Sequence, residues 1–141
     1  MARTRVETRA RARALQALYA WDMRGHGSAE LVRVATQVWD DLAITPEERR
    51  IAGPIVRLVA SRASRLDAEL ADVTTNWRLE RIGAVERCVL RMAAAELTIG
   101  ETPPRVVIQE AVTLSERYGS AASAKFVNGV LDALARRMGR I

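Results

Sequence analysis

Two groups of side chains in this sequence have the chemistry to bind a polyanion, and they lie near its two ends. The segment from Met1 to Arg24 carries six arginines against Glu7 and Asp22. Near the other end, Lys125 and Phe126 stand side by side, the only lysine and the only phenylalanine of the chain. Cationic side chains bind phosphate oxygens, and an aromatic ring stacks on a base. These groups therefore predict binding to nucleic acid.

The overall charge agrees with a polyanionic partner. The formal net charge is +5, and all but one of the 22 basic residues are arginine. The planar guanidinium group matches phosphate oxygens and also stacks on bases. Because genome composition can also favour arginine, the placement of the arginines is more informative than their number. A solvated helical face is the alternative interpretation of the N-terminal arginines.

The sequence lacks the residue patterns of an enzyme. Its one histidine, His26, stands in a Gly-His-Gly loop, and its one cysteine, Cys88, is flanked by apolar residues. Metal-ligand spacings, a Gly-rich phosphate loop and a nucleophile elbow are all missing. Glu47 and Glu48 are better explained by helix capping than by acid/base chemistry. We therefore predict a binding protein without catalytic residues, metal or cofactor.

Length and composition predict a single cytoplasmic domain. The 141 residues suffice for one packed core, and 49% of them are hydrophobic. No apolar run is long enough to cross a membrane. A lone cysteine favours a reducing compartment. The Arg-rich N-terminus also resembles a mitochondrial transit peptide, but it runs without a break into an apolar helical pattern.

Helical periodicity runs through the whole sequence, and we find no convincing strand. Residues 3–24 contain no glycine or proline, and Ser28 is a suitable cap for a second helix. A capping box, Thr45 to Glu48, predicts a third helix that runs to about Trp77, with a kink at Gly53-Pro54. Three further helices follow, and the last contains Gly129, which we expect to let a neighbouring helix approach closely. The three tryptophans, Trp21, Trp39 and Trp77, are predicted to be buried.

Three segments in order resemble the NusB family of bacterial transcription antitermination factors. They are ALQALYAWD in the first helix, GAVERCVLRMAAAEL in the central region, and PPRVVIQEAVTLSERYGS followed by KFVNGVLD near the end. Together they cover nearly the whole chain. The helical pattern and this resemblance predict an all-α fold, a compact bundle of about six or seven helices in two small subdomains. The resemblance places the subdomains at about residues 1–78 and 79–141 of a single RNA-binding domain.

The resemblance also implies a function. Members bind the boxA segment of nascent ribosomal RNA transcripts and pair with a small-subunit ribosomal protein, called NusE in this role. The complex joins RNA polymerase, suppresses premature termination and assists rRNA maturation. Members are not catalysts. Some dimerise and mask the RNA surface, so a homodimer stays open for this chain.

Motif by motif, the resemblance implies seven RNA-binding residues and one partner contact. Phosphate contacts are assigned to cations, stacking to aromatic rings, and base-edge hydrogen bonds to amides. The RNA-binding set is Arg9, Arg11 and Lys125 for phosphates, Tyr19 and Phe126 for stacking, and Gln16 and Asn128 for base edges. Glu86 is the candidate contact for the ribosomal protein.

Each assignment has a structural alternative. Phe126 and Tyr19 are also compatible with the core, Asn128 with a local hydrogen bond, and Glu86 with an ordinary exposed position. Two other functions stay open as well. One is the accessory domain of an rRNA cytosine methyltransferase, although the chain stops before a cofactor-binding domain. The other is a self-associating helical protein.

Overall fold

The computed structural model describes residues 5–25, 27, 30–74 and 82–141, and six α-helices form the fold of this part of the chain. They are α1 (Arg5–Arg24), α2 (Leu31–Leu42), α3 (Pro46–Val73), α4 (Ala84–Ile99), α5 (Pro104–Tyr118) and α6 (Ala121–Arg137). The predicted all-α class is confirmed. No helix within the described ranges is long and apolar enough to cross a membrane.

The chain forms two compact units, and the division between them falls inside α3. The first unit is Met1–Arg62 and the second is Ala63–Ile141. Arg62 has non-helical backbone angles, with φ −133° and ψ 27°. The sequence predicted the kink at Gly53-Pro54 and a subdomain boundary near residue 78. The observed break lies between these two positions, and Pro54 is tolerated within the helix on its exposed side.

In the first unit, α1 and α2 pack against each other around aliphatic side chains. Leu18, Leu31 and Val59 are completely buried. The rings of Trp21 and Trp39 are also in this core, and each indole N–H has a partner. Trp21 Nε1 donates to the Gly27 carbonyl and Trp39 Nε1 donates to the Arg13 carbonyl, both at 2.9 Å. The predicted burial of these two tryptophans is confirmed. Trp77, His26 and Ser28 lie outside the described residues.

The start of α3 is fixed by the predicted capping box. The Thr45 hydroxyl accepts the Glu48 N–H at 3.1 Å, and the Glu48 carboxylate accepts the Thr45 N–H at 2.9 Å. These reciprocal bonds satisfy two backbone donors that a helix start leaves without partners. They also fix the position of the Glu48 side chain, which becomes important at the functional site.

In the second unit, α4, α5 and α6 pack against one another. Leu90, Leu131 and the thiol of Cys88 are fully buried among them, as predicted for the cysteine. Arg91 on α4 donates to both carboxylate oxygens of Asp67 on α3, at 2.9 and 3.0 Å. This bidentate ion pair connects the two helices.

The start of the last helix is fixed by Ser120. Ser120 is the N-cap, and its hydroxyl accepts the Ser123 N–H. Lys125 and Phe126 therefore lie in the second turn of α6. The expectation for Gly129 was wrong, because a Cβ atom at this exposed position would meet nothing within 4 Å.

Candidate nucleic-acid interface

A basic cluster on the first unit is organised around one buried carboxylate. Glu48 Oε2 lies 3.2 Å from Arg9 Nε and 3.6 Å from Arg13 Nε. The two arginines are four residues apart on α1, so they share one face of the helix. Their side chains are 53% and 27% exposed, whereas that of Glu48 is 3% exposed. We call Arg9, Arg13 and Glu48 the α1 cluster.

The surroundings of Glu48 hold it in the charged form. Its pKa is lowered from the ordinary value, first by the hydrogen bond from the Thr45 backbone N–H, and then by Arg13 and Arg9. Burial acts in the opposite direction, because it disfavours charge. The α1 cluster therefore contains two cations and one anion and keeps a net positive charge.

Gln16 is joined to the α1 cluster through Arg13. Arg13 Nη1 donates to Gln16 Oε1 at 3.2 Å. Because a guanidinium group can only donate, this bond fixes which end of the amide faces Arg13. The half-buried Gln16 side chain consequently presents its NH₂ group as the available donor. Such a donor is suited to an acceptor atom on a base edge.

Arg11 does not belong to this surface. Its side chain is only 4% exposed. Arg11 precedes Leu15 by four residues and Leu18 by seven, so it lies on the face of α1 that packs into the core. The burial of Arg11 therefore does not support its assignment as a phosphate contact. Helical spacing alone was sufficient to show this, because Arg9 and Arg13 share a face that Arg11 does not.

Tyr19 is on the surface of the first unit. It is 41% exposed, which rules out the core interpretation that the sequence left open. Met23 follows one turn later on α1 and is 61% exposed. The ring of Tyr19 is consequently accessible to a stacking partner.

On the second unit, Lys125, Phe126 and Asn128 occupy neighbouring positions of α6. Lys125 and Asn128 are exposed, and Phe126 is partly exposed and makes contacts within the protein. The adjacent Val127 is completely buried and belongs to the core stripe of α6. Phe126 thus lies at the edge between core and surface, where one part of the ring packs inside and another part meets solvent.

Asn128 also borders a groove between α5 and α6. This groove has a volume of about 330 Å³, and its lining is mixed in charge. The lining residues are Arg105, Ile108, Gln109, Val112, Thr113, Glu116, Asn128 and Asp132. Asn128 therefore borders a recess that residues of both helices line.

One further feature of the second unit, the pair Arg117 and Tyr118, was not singled out from the sequence. Arg117 lies over the ring of Tyr118, 5.4 Å from its centroid, and the ring is 41% exposed. A cation over an exposed ring at the end of α5 adds a second aromatic surface to this unit. The adjacency of Arg117 and Tyr118 just before Gly119 was the signal available in the sequence.

Glu86 makes an internal contact. The Ser123 hydroxyl donates to Glu86 Oε2. A Cβ atom added at Gly83 would lie 2.5 Å from Glu86 Oε1. The carboxylate is therefore enclosed by the starts of α4 and α6, and it is only partly accessible to a partner protein.

The predicted site residues fall into two groups, one on each unit. Those on the first unit are Arg9, Gln16 and Tyr19. Glu48 contacts Arg9, and Arg13 contacts Gln16. Those on the second unit are Lys125, Phe126, Asn128 and Glu86. Within the described residues, no group of three or more histidine, cysteine, aspartate or glutamate side chains is arranged to hold a metal. The arrangement defines an all-helical protein with one basic surface and one surface of mixed charge.

Comparison with known proteins identifies the family. Residues 8–136 match the model of the NusB family. The transcription antitermination protein NusB of Anaeromyxobacter dehalogenans is 44% identical over 131 residues, which are 91% of this chain and 89% of that protein. The chain belongs to the NusB family, and the family resemblance seen in the sequence is confirmed.

Solved structures agree with this assignment. A chain in the crystal structure of antitermination factors NusB and NusE in complex with double-stranded RNA is 28% identical. It matches with a TM-score of 0.85 over 96% of this chain and 99% of that chain. A crystal structure of T. maritima NusB is 29% identical and has a TM-score of 0.83, with 96% of this chain and 93% of that chain covered. The family is one of antitermination factors and not of enzymes, which confirms the expected absence of catalysis.

Proposed function

We propose that this protein is a transcription antitermination factor that binds a boxA-type single-stranded RNA together with the ribosomal protein NusE. The pair would join the RNA polymerase antitermination complex in the cytoplasm. The observation that carries the RNA-binding part is the α1 cluster, in which two arginines are held side by side at the surface. The similarity to a structure that contains NusB, NusE and RNA supports the choice of partners.

The proposed RNA contacts divide by chemistry. Arg9 and Lys125 bind phosphate groups, which positions the RNA without reading its sequence. Tyr19 and Phe126 stack on bases, and the NH₂ group of Gln16 and the amide of Asn128 contact base edges. Specific RNA recognition requires the last two kinds of contact, because unstacked bases expose both their faces and their edges.

Glu86 is the proposed contact for NusE. Its carboxylate retains partial exposure beside its bond to Ser123, so a cationic side chain of the partner can approach it. Self-association of the free protein is a further proposal carried over from the family. The size of the protein measured with and without RNA tests it.

The experiment that tests the proposed function is fluorescence-anisotropy titration of a labelled boxA-containing RNA and of a scrambled RNA of equal length. Each titration is performed with and without purified NusE. Selective binding to boxA that tightens in the presence of NusE is the expected result. Equal, salt-sensitive binding to both RNAs would mean that the protein binds RNA through charge without reading its sequence. This result would contradict the proposal.

A further inference from the structure

The α1 cluster has an unusual composition for a surface that binds a polyanion, because a carboxylate lies between its two arginines. Glu48 Oε2 is 3.2 Å from Arg9 Nε and 3.6 Å from Arg13 Nε. Charge alone would make Glu48 unfavourable, since it repels phosphate. Its position in the structure indicates a different role.

The capping box holds the Glu48 side chain independently of its contacts with the arginines. One carboxylate oxygen accepts the Thr45 N–H, and the Glu48 N–H is bound by the Thr45 hydroxyl. The other oxygen faces both guanidinium groups. The buried carboxylate is therefore a rigid point on α3 to which two long, flexible side chains of α1 are attached.

These contacts use only part of each guanidinium group, so both arginines keep N–H groups that can bind a further partner. Each guanidinium approaches Glu48 through Nε, the nitrogen nearest the helix, and the Nη groups lie further out along the side chain. Arg13 is held a second time, because its Nη1 donates to Gln16 Oε1. Both guanidinium groups lie beside one oxygen atom, which places them within reach of a single phosphate group.

We infer that Glu48 positions Arg9 and Arg13 as one site for a backbone phosphate of the RNA, and that Arg13 is a phosphate ligand. Glu48 itself does not touch the RNA and acts only through the arginines. This inference rests on the proposed RNA-binding function. It adds Arg13, which was not among the predicted RNA-binding residues, as a phosphate ligand. It also adds Glu48, a residue of the opposite charge, as a positioning residue.

The physical advantage is preorganisation. Holding a flexible side chain in one conformation costs conformational entropy, and an arginine already held by Glu48 does not incur this cost again on binding. The loss of Glu48 should therefore weaken RNA binding, although it makes the protein more positive. Electrostatics alone predicts the opposite sign.

The decisive experiment compares Glu48→Gln with Glu47→Gln. Both substitutions raise the net charge by one, and glutamine at position 48 keeps the capping acceptor. Glu47 is exposed and is paired with Arg50 at 3.6 Å, outside the α1 cluster. We expect Glu48→Gln to weaken binding to labelled boxA RNA by about two- to tenfold, and Glu47→Gln to leave it unchanged or slightly tighter. Equal affinities, or tighter binding by Glu48→Gln, would overturn the positioning role.

Substitutions of Arg13 test the ligand separately and guard against a folding defect in Glu48→Gln. Arg13→Ala should flatten the plot of log K against log salt by about 0.7, the value for one phosphate contact to a single strand. Arg13→Lys should retain most of the slope but bind more weakly, because an ammonium group cannot replace the fork of arginine. The control is Arg33→Ala on α2, whose side chain is 76% exposed and paired with Glu30.

The outcomes separate this inference from the function on which it rests. If the wild-type protein does not distinguish boxA from scrambled RNA, the proposed function fails. If it does distinguish them, and Arg13→Ala leaves the salt slope at the Arg33→Ala value, only the α1 phosphate site is overturned. Melting temperatures of all variants show whether each remains folded during the titration.

Discussion

The hydroxyl of Ser123 donates a hydrogen bond to the carboxylate of Glu86, and this bond joins the first turn of α6 to the first turn of α4. Ser123 is almost fully buried and also lies 3.1 Å from the hydroxyl of Ser120, the N-cap of α6. The start of the helix that carries Lys125 and Phe126 is thus anchored to the residue proposed to contact NusE.

Ser123→Ala should lower the free energy of unfolding by about 1–2 kcal/mol. It removes a partly buried hydrogen bond to a charged acceptor and leaves the carboxylate without this donor. Thr113→Ala is the matched control, because the exposed Thr113 hydroxyl bonds only to the Gln109 carbonyl of its own helix. Urea denaturation measures both. Equal effects of the two substitutions would show that the bond to Glu86 does not contribute to stability.

Glu86→Gln tests the partner contact. Glutamine retains an oxygen that can accept the Ser123 hydroxyl, so the fold should be preserved, but the charge is lost. If a cation of NusE approaches this carboxylate, affinity for NusE should fall by about three- to tenfold. Calorimetric titration with NusE measures the change. Ser123→Ala is the comparison, because it keeps the charge. A larger loss for Ser123→Ala than for Glu86→Gln would argue that the geometry of α6 matters and the charge does not.

Phe126→Ala should weaken binding to boxA RNA by about 1–3 kcal/mol, the range for loss of one base stacked on a ring. Part of this ring packs inside the protein, so thermal stability must be measured as well. Val130→Ala is the control for packing, since Val130 lies one turn later and is 6% exposed. RNA affinity that is unchanged in Phe126→Ala, with a lowered melting temperature as in Val130→Ala, would assign the ring to the core.

The sequence predicted features that depend on local spacing. The capping box at Thr45 and Glu48 was recognised because its residues are three apart and its two hydrogen bonds join only these residues. Helical periodicity likewise identified the core stripes, because each helix repeats its buried positions at a fixed interval.

Features that depend on long-range contacts were not predictable in the same way. Glu48 meets Arg9 across 39 residues of sequence, so its second role as an anchor for arginines was not visible beside its capping role. Ser123 and Glu86 are 37 residues apart. The burial of Arg11 was predictable from the sequence, because its spacing from Leu15 and Leu18 places it on the core face of α1.

The stability contributed by Glu48 should depend on pH. Its pKa in the folded protein is below the ordinary value of 4.5, so the unfolded chain takes up a proton at higher pH than the folded protein does. The stabilisation is therefore complete above the unfolded pKa and is lost as the pH falls through the folded pKa. We expect Glu48→Gln to lower the free energy of unfolding by about 1–3 kcal/mol near neutral pH.

This difference between wild type and Glu48→Gln should shrink as the pH is lowered below the ordinary pKa of 4.5 and through the lower pKa of the folded protein. Urea denaturation across this pH range measures it. Glu47→Gln is again the control, because its carboxylate is exposed and lies outside the α1 cluster. A difference between wild type and Glu48→Gln that stays constant down to acidic pH would mean that the charge of Glu48 does not stabilise the fold.

Gly129→Ala should stabilise the protein by about 0.5–1 kcal/mol. Gly129 lies inside α6 at an exposed position, and an added Cβ atom would meet nothing within 4 Å. Alanine restricts the unfolded chain more than glycine does and is the better helix former. Because the added Cβ atom meets no neighbour, no steric cost opposes this gain. Gly53→Ala is a second test, because there a Cβ atom would lie 2.9 Å from Arg57 Nη1, the end of a flexible, exposed side chain that can move aside. A lowered melting temperature of Gly129→Ala would contradict the open space around this position.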